Sequence, residues 1–175
     1  MTVSCDATSH CAASVDVRLS YTINLSEQKS FPPEALEYGV RAVTLSKIAY
    51  WLRQNTLTVA IPSVDLFVGP ETAVDERDER THKLGTLASI AAKSVACADP
   101  VDPKPDSAAG GAMVCKLPLL DEGRAALQTL AADYKTPFKL LVHGVTTVKA
   151  GDPIPSGTIA FSVKPTVSLA VSTSL

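Results

Sequence analysis

Apolar and polar residues alternate along both ends of this chain. An apolar residue or proline occupies every second position from Ile159 to Val171, and Thr, Ala, Ser and Lys fill most positions between them. Near the N-terminus, Val15, Val17, Leu19, Tyr21 and Ile23 alternate with polar residues in the same way. A period of two is typical of a β-strand with one face on a core and the other in water. The pattern predicts strands over 14–24 and 158–174.

The segment from Val40 to Leu52 alternates with a break in phase. Val43 and Leu45 are at odd positions, whereas Ile48, Tyr50 and Leu52 are at even ones. One extra residue near Ser46–Lys47 would return both groups to a common face, which is what a β-bulge does. We therefore predict a single bulged strand here.

The rest of the chain is predicted as short strands, two helices and two mobile loops. Shorter apolar alternations predict strands at 57–61, 64–68, 84–95, 113–119 and 138–149. Leu127, Leu130, Ala131 and Tyr134 recur at helical spacing and predict a helix over 121–134 capped by Asp121. Pro32 and Gly39 frame a helix of one or two turns. The charged segment 70–82 and the Pro- and Gly-containing segment 98–111 are expected to be the most mobile.

Many short strands with one substantial helix predict an all-β fold. An antiparallel two-sheet sandwich with immunoglobulin-like connections fits best, and a small barrel is the alternative. We divide the chain into a polar leader, 1–13, and a single sandwich domain, 14–175. The predicted core includes Val17, Leu19, Tyr21, Leu45, Val59, Leu140, Val142, Phe161 and Val163.

Charge and hydropathy exclude some classes of partner. Sixteen basic and eighteen acidic residues give a net charge of −2 without a basic stripe, so we expect no nucleic-acid partner. No window approaches the ~20 apolar residues of a transmembrane helix. Neither a charged segment nor an apolar stretch follows Met1, so we expect either a cytosolic protein or one whose leader peptide is absent from this sequence.

The four cysteines favour the second alternative. Cys5 and Cys11 are close together near the N-terminus, while Cys97 and Cys115 flank the Pro- and Gly-containing loop. An even number of locally placed cysteines in a Ser- and Thr-rich β-protein fits disulfides in an oxidising compartment. We predict the pairs Cys5–Cys11 and Cys97–Cys115, and an extracytoplasmic protein that is secreted, periplasmic or surface-anchored. The other two connectivities remain open.

No catalytic or metal-binding set is predicted. His10, His82 and His143 are the histidines, no Gly-x-Ser-x-Gly motif occurs, and we expect His143 to face solvent from a strand. Zinc ligands usually pair two to four residues apart, whereas five and seventeen residues separate the cysteines of each local pair. The acidic groups of 75–79 and 99–106 lack the pattern of a calcium loop. We predict neither a cofactor nor a metal.

Trp51 and Phe67 form the one candidate contact surface. Each ring is out of phase with the apolar residues of its own predicted strand. If the two strands belong to one sheet, both rings can lie on its outer face and bind a partner.

At the level of strands, hydroxyl-rich composition and cysteines, the chain resembles the β-sandwich domains of bacterial envelope lipoproteins. The resemblance spans most of the chain and implies a fold and a compartment, but no functional residue. The leading hypothesis is a non-catalytic binding or structural module on a cell surface, with an unknown protein or surface ligand as its partner. The alternatives are a self-assembling homo-oligomer that uses its terminal edge strands, and a hydrolase with an unfamiliar site.

Overall fold

The computed structural model describes residues 2–5, 11–27, 40–96, 114–152 and 155–171. These residues form eight strands and one helix. In chain order the elements are β1 (Thr2–Cys5), β2 (Cys11–Ile23), β3 (Val40–Asn55), β4 (Val64–Pro70), β5 (His82–Leu87), β6 (Cys115–Leu117), α1 (Asp121–Ala132), β7 (Phe138–Lys149) and β8 (Ile159–Val171). The predicted helix at 32–39 and the predicted loop at 98–111 lie outside the described residues.

The strands form two antiparallel sheets, so the predicted all-β sandwich is confirmed. One sheet has five strands in the order β1-β2-β7-β4-β5, and the other has three in the order β6-β3-β8. This order differs from the ABED and CFG sheets of an immunoglobulin domain, because β2 lies beside β7, a strand from the far end of the chain. No described helix is both long and apolar enough to cross a bilayer.

The predicted bulge in β3 is confirmed. Leu45 lies opposite Val167 and Lys47 opposite Thr166, which leaves Ser46 as the extra residue. The bulge turns both groups of apolar side chains inward, because Leu45 and Leu52 are 2% and 1% exposed although their positions differ in parity. β3 is also the central strand of its sheet, and it contributes more buried residues to the core cluster than any other strand.

The core lies between β3, β4, β5, β6 and α1. Its most deeply buried side chains are Leu45, Leu52, Val68, Leu84, Cys115 and Leu117. Leu45 was predicted correctly, and Leu140 and Val142 pack partly buried against this cluster. Val59 is half-buried outside the strands, and the side chain of Phe161 lies outside the described residues.

Four predicted core residues are wrong, and three of them share one strand. Val17, Leu19 and Tyr21 of β2 are 40%, 55% and 69% exposed, and Val163 of β8 is 37% exposed. The face of β2 was nevertheless correct, since Leu19 lies in register with Val142 and Leu66, and Leu66 is buried. Burial decreases towards these three residues because α1 packs over β4 and β5, whereas Ile23 at the end of β2 is the half-buried residue of this strand that packs against the core.

Helix α1 was predicted correctly in position, but it ends at Ala132, two residues before the predicted end, and its capping residue differs. Leu127 and Ala131 are buried on one face of the helix, as expected from their spacing, and Tyr134 is buried just beyond its end. The N-cap residue is Leu120 and makes no side-chain capping bond, whereas Asp121 lies in the first turn, where a negative charge favours the helix dipole. The first turn packs so closely on β5 that a Cβ atom at Gly123 would overlap the backbone of Lys83 and Leu84.

The N-terminal segment contains a strand that the sequence pattern did not predict. β1 pairs with the start of β2, and Cys5 lies directly opposite Cys11 in this hairpin. Cross-strand neighbours have the Cα separation that a disulfide requires. Cys115 is fully buried and is not a free thiol, but Cys97 lies outside the described residues. Both pairings therefore stay predictions.

Candidate functional site

A charged cluster lies on the outer face of the five-stranded sheet, around His143. The Nε2 atom of His143 is 2.7 Å from an Asp16 oxygen, and its Nδ1 atom is 3.8 Å from a Glu76 oxygen. Arg18 contacts the same two carboxylates at 3.0 and 3.2 Å, and Asp75 at 3.6 Å. We call Asp16, Arg18, Asp75, Glu76 and His143 the His143 cluster. The sequence prediction placed His143 on the correct face, but it missed these partners.

Ion pairs of the His143 cluster hold the charged segment 71–81 against the sheet. The side chain of Glu76 is only 10% exposed between Arg18 and His143. Ala73 in the same segment is fully buried, and its carbonyl oxygen accepts a hydrogen bond from Lys139. Thr81 donates to the carbonyl oxygens of Glu76 and Asp78. The segment that the sequence predicts as a mobile loop is therefore packed and hydrogen-bonded.

A second polar group extends the outer face towards β5. Asp65 accepts hydrogen bonds from Thr86 at 2.7 Å and Lys83 at 2.8 Å. Partial burial pushes the pKa of Asp65 upward, but these bonds and the charge of Lys83 outweigh it, so the net pKa is lowered. The pKa of Asp16 is likewise lowered, because the bond to His143 and the charge of Arg18 outweigh desolvation. Both carboxylates are thus held in their charged form.

The His143 cluster lacks the parts of a hydrolytic site. Within the described residues, the polar partners of His143 are carboxylates, and no hydroxyl or thiol that it could activate is bonded to it. A nucleophile bonded to the histidine is the first requirement of triad chemistry. No described group of His, Cys, Asp and Glu has the arrangement of a metal site, and arginines form ion pairs with Asp75, Glu76 and Asp78. The geometry supports an anchor between loop and sheet.

The ion pair between Asp78 and Arg80 in segment 71–81 can be tested by the titration of the Asp78 carboxyl group. Arg80 donates two side-chain hydrogen bonds to Asp78, and mainly for this reason the pKa of Asp78 falls to about 2. In the folded protein the pKa of Asp78 lies below its ordinary value of ~3.9. The ion pair therefore stabilises the fold fully above pH ~3.9, and this stabilisation is lost as the pH falls through about 2. We expect a carboxyl NMR titration with a midpoint near that value.

The variant Arg80→Gln should return the titration midpoint of Asp78 towards the ordinary value, since it removes both bonds and the charge. Arg77→Gln is the matched control, because Arg77 contacts the side chain of Glu76 instead. A wild-type midpoint near ~4 would contradict the ion pair.

The two rings of the predicted Trp51 and Phe67 contact surface lie in different sheets. Trp51 lies on β3 in the three-stranded sheet, whereas Phe67 lies on β4 in the five-stranded sheet, and both residues are half-buried. The prediction assumed that the two strands share a sheet. Although β3 and β4 are consecutive along the chain, they lie in different sheets, because β4 pairs with β7 from a distant part of the sequence.

Three of the exposed large apolar side chains among the described residues lie together on β2. The inner face of β2 carries Val17, Leu19 and Tyr21. These side chains lie on the same side of the sheet as the core, but they are exposed to solvent. We call these three residues the β2 strip. On its far side, β2 pairs with β1 only over residues 11–14, so no described strand pairs with the backbone edge of residues 15–23. An apolar strip beside a free edge is a typical site for another polypeptide.

A shallow depression of about 300 Å³ lies between residues 58–60 and 146–148. Among the described residues that line it, Asp152 is the one carboxylate. A single carboxylate supplies neither paired acids nor a nucleophile with a base, so the depression has no catalytic set.

Comparison with known proteins finds no matching family model, no similar curated protein and no similar solved structure.

Proposed function

We propose that this protein is a non-catalytic β-sandwich that binds another polypeptide through strand β2, outside the cytoplasm or on a cell surface. The observation that carries the proposal is the β2 strip beside the free edge of residues 15–23. Contiguous exposed apolar side chains, unlike isolated ones, often mark a site where a partner binds. A partner strand that pairs with this edge would satisfy its free backbone groups and cover the strip.

The charged surroundings of the strand favour pairing at its edge over binding on its outer face. On that face, Asp16 and Arg18 already bond to each other and to the His143 cluster. These contacts hold β2 against segment 71–81 and leave its backbone edge and its inner side chains for a partner. A rigid strand costs little ordering entropy on binding, which favours affinity.

The expected test is selection of extended peptides from a random library against the wild-type protein. Bound peptides should alternate apolar and polar residues, and Leu19→Lys should weaken their binding at least tenfold by placing a charge in the strip. Val74→Lys is the matched control, because Val74 is 85% exposed in segment 71–81, which packs on the outer face of the sheet, whereas the β2 strip lies on the inner face. Equal binding to both variants would contradict the proposal.

The non-catalytic part of the proposal has its own test. Wild-type protein and His143→Ala are assayed with generic ester, glycoside and peptide substrates. We expect no turnover from either protein. Wild-type turnover that His143→Ala abolishes would favour the hydrolase alternative.

The extracytoplasmic location rests on the cysteines and on the resemblance to envelope lipoprotein domains. We expect non-reducing peptide mapping to join Cys5 to Cys11 and Cys97 to Cys115. The cross-strand position of Cys5 and Cys11 supports the first pair. A peptide that joins Cys5 or Cys11 to either other cysteine would refute the pairing, and four free thiols would remove the argument for an oxidising compartment.

A further inference from the structure

Residues 15–23 of β2 form a long sheet edge that no described strand pairs with. The edge of β8 has Lys164 and Pro165 near its middle, and both oppose pairing with a further strand. The edge of β5 is partly covered, since Gly85 bridges to Leu119. In contrast, the free part of β2 contains neither proline nor lysine, and Arg18, its one basic residue, is held by carboxylates on the outer face.

We propose that the partner of this edge is a second copy of the chain, paired antiparallel through β2 about a two-fold axis at Leu19. The inference rests on the proposed function, because it names the polypeptide that β2 binds. The two five-stranded sheets then form one continuous sheet across the dimer, with an isologous interface.

The side chains fit this register on both faces. On the inner face, Leu19 lies opposite the partner subunit's Leu19, and Val17 lies opposite the partner subunit's Tyr21. Apolar cross-strand pairs of this kind stabilise a sheet and reduce the exposure of the β2 strip. On the outer face, Arg18 meets the partner subunit's Ser20, so no two like charges lie opposite each other.

The length of the free edge selects the same axis. β1 occupies the edge of β2 up to Ser14, and β2 ends at Ile23, after which the chain turns at 25–27. An axis at Leu19 places Val15 opposite the partner subunit's Ile23, so the two strands fill the whole free edge and stop where β1 begins. An axis at Val17 would place Tyr21 opposite Ala13, which β1 already pairs.

The first experiment measures the oligomeric state by sedimentation over a range of concentrations. A junction of two strands is a small interface, so we expect a reversible dimer in the micromolar range. Leu19→Lys should be monomeric at the concentrations where the wild type is dimeric, because two charges would meet in the apolar centre. Val74→Lys, in an exposed loop, should dimerise as the wild type does.

A second pair of variants tests the register. Ser20→Glu and Ser20→Lys should change the dimer dissociation constant in opposite directions, each by about three- to tenfold, since residue 20 faces Arg18 and its carboxylate partners twice across the axis. Both variants alter the same outer position, so effects on folding are matched. Identical dissociation constants, with loss of the dimer in Leu19→Lys, would assign the contact to the inner face and overturn edge pairing.

A monomer at every concentration would also overturn the dimer. If such a monomer binds the alternating peptides of the library, the proposed function stands and only the identity of the partner is wrong. If it binds no peptide and the amides of residues 15–23 are protected from hydrogen exchange, another part of the same chain occupies the edge. Both the dimer and the proposed function then fail.

Discussion

Leu45→Ala should lower the free energy of unfolding by about 2–5 kcal/mol, whereas Leu19→Ala should lower it by less than ~1 kcal/mol. The sequence pattern assigns both leucines to the core. Leu45 is 2% exposed and Leu19 is 55% exposed. Truncating Leu45 leaves a cavity among packed side chains, while truncating Leu19 removes contacts at an open surface.

The measurement is urea denaturation of wild type and both variants at a protein concentration where sedimentation shows monomers. Working with monomers separates fold stability from any contribution of a partner to the β2 strip. The midpoint should shift and the slope should stay constant, since neither change alters the surface exposed on unfolding by much. Losses of equal size would mean that the inner face of β2 is covered in the monomer.

Gly123→Ala should destabilise the protein by about 1–3 kcal/mol, although helix propensity alone would stabilise it by up to ~1 kcal/mol. Gly123 lies in the first turn of α1, where a Cβ atom would be 2.5 Å from Leu84 Cα and closer still to the carbonyl oxygen of Lys83. Backbone atoms of β5, which is hydrogen-bonded to β4, cannot move aside as a flexible side chain can. Helix and strand must therefore separate.

The control for helix propensity is Ala125→Gly, at an exposed position of the same helix. It should cost about 1 kcal/mol, because only backbone entropy changes there. Gly123→Ala and Ala125→Gly would then both destabilise the protein, although they exchange the same two residue types in opposite directions. A stabilising Gly123→Ala would show that α1 does not pack this closely on β5.

Local pattern was enough for the elements whose signals lie within a few residues. The parity change between Leu45 and Ile48 located the bulge of β3, because a strand can return its apolar side chains to one face only by inserting a residue. The spacing of Leu127, Ala131 and Tyr134 located α1 for a similar reason. Alternation also gave the correct inner face of β2.

The candidate site needed contacts between distant parts of the chain. Asp16 and His143 meet because β2 pairs with β7, and Glu76 joins them because segment 71–81 folds over that sheet. Their outward positions could be read from alternation, but the partner strands could not. The separation of Trp51 from Phe67 follows from the same pairing choice.

The sequence by itself determined strands β2, β3, β4, β7 and β8, the apolar face of β2, the place where β3 needs a bulge and the position of the main helix. These depend on backbone periodicity over a few residues. Only the tertiary structure decided that the elements of the core cover β4 and β5 but leave Val17, Leu19 and Tyr21 in solvent. Alternation records which side chains share a face, while burial depends on whether another element packs over that face.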